Sequence, residues 1–147
     1  MNSDFIVGLH ALVYLHHKGT TQRSEELADN ICTNPGRVRR VMAQLKKAGL
    51  VETREGRFSG GYSYEMGRTI TLGEISRALD TKFADAGWRS GDPDKNCRVA
   101  CGMSGYIDGL YEEMNHRCND YLDTITVTDV EQELFKDKEG MHAAGNA

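Results

Sequence analysis

Apolar residues recur at steps of three and four in six segments of the chain, which is the spacing of a buried helical face. The helices predicted from this spacing cover about residues 3–18, 25–31, 35–48, 72–80, 102–125 and 128–135. Residues 50–54 alternate instead as a strand does, and the glycines that follow them suit a tight hairpin. The pattern predicts a mostly α fold with a small β component, an α+β class.

Residues that cap helices support these boundaries. Ser, Thr and Asn side chains accept hydrogen bonds from the first free N–H groups of a helix, and glycine can end a helix in a left-handed conformation. The predicted caps are Ser24, Asn34, Gly49, the capping box of Thr71 with Glu74, and the capping box of Thr128 with Glu131. Pro35 takes the first helical position, where proline is well tolerated.

A short helix, a turn and a basic helix form a helix-turn-helix pattern, and the hairpin after them makes it a winged helix-turn-helix. Residues 36–57 contain seven Lys or Arg against two Glu, a local charge of +5, whereas the whole chain carries −4. A positive patch on an acidic protein indicates a local partner of opposite charge, and nucleic acid is the leading candidate.

The pattern divides the chain into four parts. Residues 1–80 form the predicted winged helix-turn-helix domain, and residues 81–101 form a long loop that Trp88 is expected to pin to the body. Residues 102–135 hold a long dimerisation helix and a short terminal helix. The long helix keeps one apolar stripe from Ile107 to Ile125, so a second copy is expected to cover it in a homodimer. Residues 136–147 are small and polar, and they predict a disordered tail.

Length and composition narrow the function classes. A chain of 147 residues is one domain or one domain with an appendage. No apolar run approaches the ~20 residues that cross a bilayer, and the N-terminus lacks the basic start of a signal peptide, so we expect a cytoplasmic protein without a membrane partner. Its four cysteines are then thiols or metal ligands rather than structural disulfides. No catalytic motif stands out, which argues against an enzyme.

Several segments together carry a family resemblance: GLHALVYLHH, SEELADNI, VRRVMAQLKKAGLVETREG, the GGY at 60–62, and ITLGEISRAL at 70–79. Over residues 3–126 the chain resembles the Rrf-type bacterial transcription regulators, the family of the iron–sulfur cluster regulator, the nitric-oxide-sensing repressor and the cysteine-metabolism repressor. One departure is that Ser63 and Tyr64 follow the GGY, where the family usually has Leu-Ala.

The resemblance implies a sequence-specific DNA-binding transcription regulator, a repressor, whose basic helix enters the major groove of double-stranded DNA. The candidate contacts on that helix are Asn34, Arg37, Arg39, Arg40 and Gln44. The candidate contacts on the wing, which would follow the backbone or probe a minor groove, are Arg54, Arg57, Ser59 and Tyr62.

Cysteine spacing bears on how such a regulator is controlled. The cluster-binding relatives resemble one another in three cysteines close together before the long helix, whereas this chain has Cys97-x3-Cys101 and then none until Cys118. Cys97 lies in a polar loop beside Lys95 and Arg98, and nearby cations favour the reactive thiolate. We therefore expect thiol redox sensing, with no cofactor and no metal.

Two cysteines could form a disulfide with Cys97, and the sequence leaves the choice between them open. Cys101 lies near the start of the long helix, and Cys32 lies in the helix-turn-helix turn. Because dimers of the resembling family cross through the long helix, Cys32 could pair across the dimer and act directly on the basic helix. Three other functions remain as alternatives: a regulator that binds an iron–sulfur cluster, an interaction adaptor that no longer binds DNA, and a thiol oxidoreductase, whose usual motif is Cys-x2-Cys.

Overall fold

The computed structural model describes residues 3–57 and 59–136. In this part of the chain the helices are α1 (Ser3–Lys18), α2 (Ser24–Ile31), α3 (Pro35–Lys47), α4 (Leu72–Ala78), α5 (Arg98–Leu122) and α6 (Val127–Phe135). The strands are β1 (Glu52–Arg54) and β2 (Gly61–Ser63). The order of elements is the predicted one. The predicted tail lies outside the described residues except for Lys136.

The hairpin packs beside the helix-turn-helix formed by α2 and α3. β1 and β2 are antiparallel, with Thr53 opposite Tyr62 and Arg54 opposite Gly61. Gln22, just before α2, extends the pairing, because its backbone exchanges hydrogen bonds of 2.8 and 2.9 Å with Tyr62. β1 is shorter than the strand predicted over residues 50–54. Leu50 and Val51 come before β1 and are buried in the core.

One hydrophobic core joins α1, α2, α3 and α4, and it includes the first residue of α6. Its largest fully buried apolar residues are Leu12, Leu15, Leu27, Val38, Val41, Met42, Leu45, Ile70, Ile75 and Val127. Burial of one such side chain stabilises a fold by about 1.5–3 kcal/mol, so these residues fix the orientation of α3. The apolar stripe predicted for α3 is the face that enters this core.

Two predicted caps near α3 are placed differently in the structure. Arg23 is the N-cap of α2, and Ser24 is its first residue, because the backbone stays extended through the pairing of Gln22 with Tyr62. Ala48 is the C-cap of α3, and Gly49 follows it with a positive φ of 76°. The glycine therefore ends the helix as predicted, one position later than the cap.

The capping box predicted for the last helix was wrong. Thr126 caps α6 by accepting from Asp129 N–H, and the Asp129 side chain accepts from Thr126 N–H. The reason is tertiary: Thr71 and Thr126 form a bridge in which Leu72 N–H donates to Ile125 C=O and Val127 N–H donates to Ile70 C=O, each at 2.9 Å. The chain is extended at Thr126, so the helix begins there.

The loop before α5 is shorter than predicted and lies along that helix. α5 begins at Arg98 rather than Gly102, so Cys101 lies in its first turn. Asn115 of α5 accepts from Phe83 N–H at 2.8 Å and from Ala84 N–H at 2.9 Å, and it donates back to Ala84 C=O. The prediction that Trp88 pins the loop was wrong, because Trp88 is 77% exposed.

Within the described part of the chain, no residue of α5 is fully buried. Its exposed apolar residues lie on the face opposite Asn115, and they are Val99, Met103, Tyr106, Leu110, Met114 and Tyr121. Leu122 and Ile125, at the far end of the predicted stripe, pack against the core instead. The apolar face of α5 is therefore uncovered within one chain. No described helix has the length and apolar character needed to span a membrane.

Candidate nucleic-acid interface and thiol site

The polar face of α3 is a basic surface that begins at a well-formed helix terminus. The Asn34 side chain accepts from Arg37 N–H at 2.8 Å, which confirms the predicted cap. Arg39, Arg40 and Gln44 are exposed, and Arg37 is half-buried. Packing of the apolar face fixes which side chains of α3 point away from the core: Arg40 and Gln44 are exposed, Arg37 lies toward Asp4 of α1, and Arg39 lies toward Glu25 of α2.

Asp4 of α1 lies against two of these arginines. Its Oδ1 accepts from Arg37 Nη2 at 3.1 Å and from Arg40 Nη2 at 3.0 Å. Both pairs are at least partly exposed, so each contributes little to stability. Their larger effect is electrostatic, because one carboxylate offsets part of the positive charge of this surface. Asp4 was not predicted as part of this surface, because its approach to the arginines depends on how α1 crosses α3.

Arg39 has its own acidic neighbour in α2. Its Nη1 donates to Ser24 Oγ at 3.3 Å and lies 3.9 Å from Glu25 Oε1. The pKa of Glu25 is lowered, first by its own backbone N–H at the start of α2 and then by smaller contributions from Ser24, Arg23 and Arg39. Arg39 is therefore held toward α2 by weak, solvent-exposed contacts that another anion could replace.

The hairpin carries the four predicted contact residues of the wing. Arg54, Arg57 and Ser59 are exposed around its tip, and Gly61 passes so close to the Gln22 backbone that a side chain there would clash. Tyr62 is half-buried, and burial raises the pKa of its phenol while Arg39 lowers it. Tyr62, which pairs with Gln22 just before α2, thus lies near Arg39 of α3.

The four cysteines are free thiols at separate places. Cys32 is the C-cap of α2, in a left-handed conformation with φ of 65°, and its exposed thiol lies in the helix-turn-helix turn. Cys97 is the exposed N-cap of α5, and Cys101 lies one turn later with its N–H donating to Cys97 C=O at 2.9 Å. Cys118 is half-buried near the other end of α5.

The pKa of the Cys97 thiol is lowered by the backbone N–H groups of Ala100 first and Val99 second. Neither N–H meets the full geometry of a cap hydrogen bond to this side chain. Free N–H groups and the helix dipole both favour a thiolate at a helix N-terminus, which is where Cys97 lies. Lys95 and Arg98, the cations proposed from the sequence, are not the cause of the lowering.

A family comparison decides the class of protein. The family model Rrf2, described as an iron-dependent transcriptional regulator, matches residues 1–133. The chain belongs to the Rrf2 family. Members of this family are DNA-binding transcriptional regulators, so the polar face of α3 and the hairpin are part of a regulator's winged helix-turn-helix.

One relative is similar to this chain in sequence, and two solved structures are similar to it in fold. The Rrf2 chain is 29% identical over 135 residues to YwnA of Bacillus subtilis (strain 168), a candidate HTH-type transcriptional regulator, covering 92% of this chain and 99% of that one. A candidate transcriptional regulator from Lactobacillus plantarum has the same fold at a TM-score of 0.78, with 21% identity over 100% of both chains. CymR, the global cysteine regulator of B. subtilis, matches at a TM-score of 0.63 and 19% identity, covering 90% of this chain and 96% of that one.

An iron–sulfur cluster does not fit the cysteines of this Rrf2 chain. Cys101 and Cys118 lie about 25 Å apart along α5, because a helix rises 1.5 Å per residue. Within residues 3–57 and 59–136, no three His, Cys, Asp or Glu side chains are placed to hold a metal ion. Cys97 and Cys101 are thus two candidate ligands where a cluster is usually held by four.

Proposed function

We propose that this Rrf2 regulator is a dimeric repressor that binds a two-fold operator with α3 and the hairpin, and that oxidation of Cys97 releases it. The observation that carries the DNA-binding part is the exposed basic face of α3, fixed by its buried apolar face beside the hairpin. Arg37, Arg39, Arg40 and Gln44 are proposed to contact bases and phosphates from a major groove, starting from the capped terminus at Asn34. A protein that binds the bacterial chromosome would act in the cytoplasm.

The hairpin is proposed to hold the neighbouring backbone. Arg54 and Arg57 supply charge, and Ser59 and Tyr62 supply hydroxyl groups that can donate to phosphate oxygens. Since Tyr62 lies beside Arg39, a phosphate bound there would replace Glu25 as the partner of Arg39. Binding would therefore exchange weak internal ion pairs for contacts with DNA.

A second copy is the proposed cover for the apolar face of α5. Tyr106 is 71% exposed and Leu110 is 44% exposed in one chain. A two-fold contact along α5 would bury these side chains on both copies and would hold the two α3 helices at a fixed spacing. Homologues of this chain are regulators rather than enzymes. A dimer that binds two DNA half-sites suits that role.

The proposed switch begins with the Cys97 thiolate and a hydroperoxide. The sulfur attacks one peroxide oxygen, the O–O bond breaks, and the products are a sulfenic acid and hydroxide or alkoxide. A second thiol then attacks the sulfenic sulfur, which forms a disulfide and releases water. The exposure of Cys97 and its lowered pKa support this choice of the first thiol.

Cys32 of the partner subunit is the proposed second thiol. The alternative, Cys101, sits one helical turn after Cys97, where Cβ atoms are ~5–6 Å apart. A disulfide needs about 3.5–4.5 Å, so that pairing would require the start of α5 to unwind. Cys32 lies in the turn before α3, and a bond there would act on the orientation of α3 directly.

DNA binding can be tested by selecting duplexes from a random pool with reduced protein and measuring affinity against salt. Arg40→Ala and Arg57→Ala should weaken binding to all duplexes and flatten the log–log slope by ~0.9 per lost phosphate contact. Arg39→Ala should instead relax preference at one base pair, at a cost of ~1–3 kcal/mol. Lys82→Ala, in the exposed loop before α5, is the control and should change neither quantity. An adaptor that does not use DNA would show no salt-dependent binding.

A further inference from the structure

Two polar groups connect the strand that leaves the hairpin to neighbouring parts of the chain. Ser63 Oγ lies 2.7 Å from Thr21 Oγ1, in the segment before α2. Tyr64 is only 6% exposed, and its hydroxyl donates to Arg68 C=O at 2.8 Å. Ser63 and Tyr64 are the two positions at which the chain departs from the Leu-Ala of the Rrf-type pattern. The departure therefore places hydrogen-bonding groups where that pattern has apolar side chains.

Arg68 connects the same segment to the end of α3. Its Nη1 donates to the C=O of Gly49, the residue that follows the C-cap of α3. The Gly49 amide donates to Lys46 C=O at 2.9 Å, so this carbonyl belongs to backbone that α3 fixes. Tyr64 and Arg68 thus hold the hairpin exit against the helix that carries the candidate DNA contacts.

The ring of Tyr64 also contacts α1, and through α1 it is connected to α6. The His16 ring packs edge-on against the Tyr64 ring, with centroids 4.9 Å apart and planes at 80°. His16 Nδ1 bonds to Glu131 Oε2 of α6, and His17 Nδ1 lies 3.2 Å from Glu131 Oε1. The Glu131 side chain is only 18% exposed, so water screens these contacts less than it screens surface pairs. One carboxylate of α6 therefore holds the histidine that packs against Tyr64.

We propose that Tyr64 is a positioning residue of the hairpin, and that Glu131 of α6 affects DNA binding through His16 and Tyr64. The contacts form a contiguous chain from α6 to α1, to the hairpin exit and to the end of α3, and such chains can carry coupling. Because α6 makes no proposed contact with DNA, its effect must pass through the placement of wing residues such as Arg57. The inference rests on the proposed contact of the hairpin with the DNA backbone.

Amide hydrogen exchange of the free protein tests the positioning without DNA. The amides of Gln22 and Tyr62 donate to each other's carbonyl groups at 2.9 and 2.8 Å, so these two hairpin amides report on the placement of the hairpin. Relative to Val41, a core amide of α3 that reports general loss of stability, Glu131→Ala should speed their exchange roughly two- to tenfold, as expected for one lost hydrogen bond. Glu133→Ala, at an exposed glutamate of α6, is the matched control and should change neither rate.

Operator affinity tests the step to DNA, with the duplex selected from the random pool. Glu131→Ala should weaken binding roughly two- to tenfold in the wild-type background. It should have much less effect when Arg54→Ala and Arg57→Ala are already present, because the wing contact is then lost. Tyr64→Phe keeps the ring against His16 and loses only the hydrogen bond of the hydroxyl, so it should weaken binding less than Tyr64→Ala does.

The outcomes separate this proposal from the proposed wing contact. The proposal is overturned if Glu131→Ala leaves exchange of the hairpin amides unchanged relative to Val41, or if it weakens operator binding equally in both backgrounds. If Arg54→Ala with Arg57→Ala leaves operator affinity unchanged while Glu131→Ala still speeds hairpin exchange, positioning by Glu131 is confirmed. In that case the proposed contact of the hairpin with DNA is what fails.

Discussion

Asp4 holds Arg37 at the start of α3: its Oδ1 lies 3.1 Å from Nη2 and 3.3 Å from Nε of that arginine. Arg40 reaches the same oxygen at 3.0 Å. If Arg37 and Arg40 contact DNA as proposed, this carboxylate occupies the place that a phosphate oxygen would take beside them. We interpret Asp4 as an internal competitor that limits how tightly this surface binds DNA of any sequence.

Asp4→Asn should therefore raise affinity for duplexes that lack the operator. The released arginines can contact phosphate, so the log–log salt slope should steepen by ~0.9 for each new contact. Fluorescence anisotropy with a random duplex at several salt concentrations measures both quantities. Asp120→Asn makes the same charge change on an exposed position of α5 and should have a much smaller effect. A fall in affinity with Asp4→Asn would mean instead that Asp4 holds the arginines in a binding-competent position.

An ion pair between α4 and α5 should make stability depend on pH. Arg77 Nη2 and Nη1 lie 2.6 and 3.2 Å from the two carboxylate oxygens of Asp123. Hydrogen bonding from Arg77 is the main cause that lowers the pKa of Asp123 below its ordinary 3.8. The pair therefore contributes fully above the unfolded value and is lost as pH falls through the lower, folded pKa.

Asp123→Asn should lower the free energy of unfolding at pH 7 by about 0.2–1 kcal/mol, because the pair is partly exposed. The difference from the wild type should shrink as the pH falls from the unfolded value toward the lower, folded pKa. Denaturant titrations at several pH values measure it, with Asp94→Asn, which removes an exposed carboxylate in the loop before α5, as the charge control. A difference that stays constant down to the lowest pH would show that the carboxylate charge is not what stabilises this contact.

Local patterns predicted the elements whose ends are set by neighbouring residues. Asn34 before Pro35 and the Thr71 and Glu74 capping box are local motifs, and both caps are present. The start of α6 at Thr126 depends on the bridge to Thr71, which is distant in sequence, so a second plausible box at Thr128 was chosen wrongly. Glu131 of that predicted box instead bonds to His16 and His17 of α1.

The candidate site shows the same division. The basic residues of α3 and the hairpin could be recognised from their charge and helical spacing. Their acidic partners Asp4 and Glu25 could not be recognised from the sequence. An ion pair between two helices depends on the angle at which the helices cross, and no local sequence pattern encodes that angle. The lowered pKa of Cys97 was expected from its cationic neighbours, whereas its position as the N-cap of α5 is the cause; that this thiol reacts stays a prediction.

Disruption of the apolar face of α5 should separate the dimer. Leu110→Asp would bury an unpaired carboxylate on both copies, which is costly, so we expect a monomer in sedimentation at micromolar concentration. Operator binding should weaken strongly, because one half-site alone would be held. Met66→Asp introduces the same charge at an exposed apolar residue before α4 and should leave the dimer intact. A wild type that is monomeric at this concentration would contradict the proposed assembly.

The proposed disulfide predicts a cross-link between subunits. After treatment with hydrogen peroxide, non-reducing electrophoresis should show a covalent dimer for the wild type and for Cys118→Ser. Cys97→Ser and Cys32→Ser should each remove that band. If the covalent dimer persists in Cys32→Ser, the second thiol is a different cysteine. If the oxidised wild type runs only as a monomer, a disulfide within one chain, between Cys97 and Cys101, is favoured.

Operator affinity before and after peroxide, for the wild type and Cys97→Ser side by side, tests the central claim most directly. Reduced proteins should bind equally, because Cys97 lies on α5 and makes no proposed DNA contact. Oxidation should weaken the wild type at least roughly tenfold, a shift of ~1.4 kcal/mol, and a thiol reductant should restore it. Cys97→Ser should keep its affinity throughout. If Cys97→Ser loses the operator as readily as the wild type does, control by this thiol is contradicted.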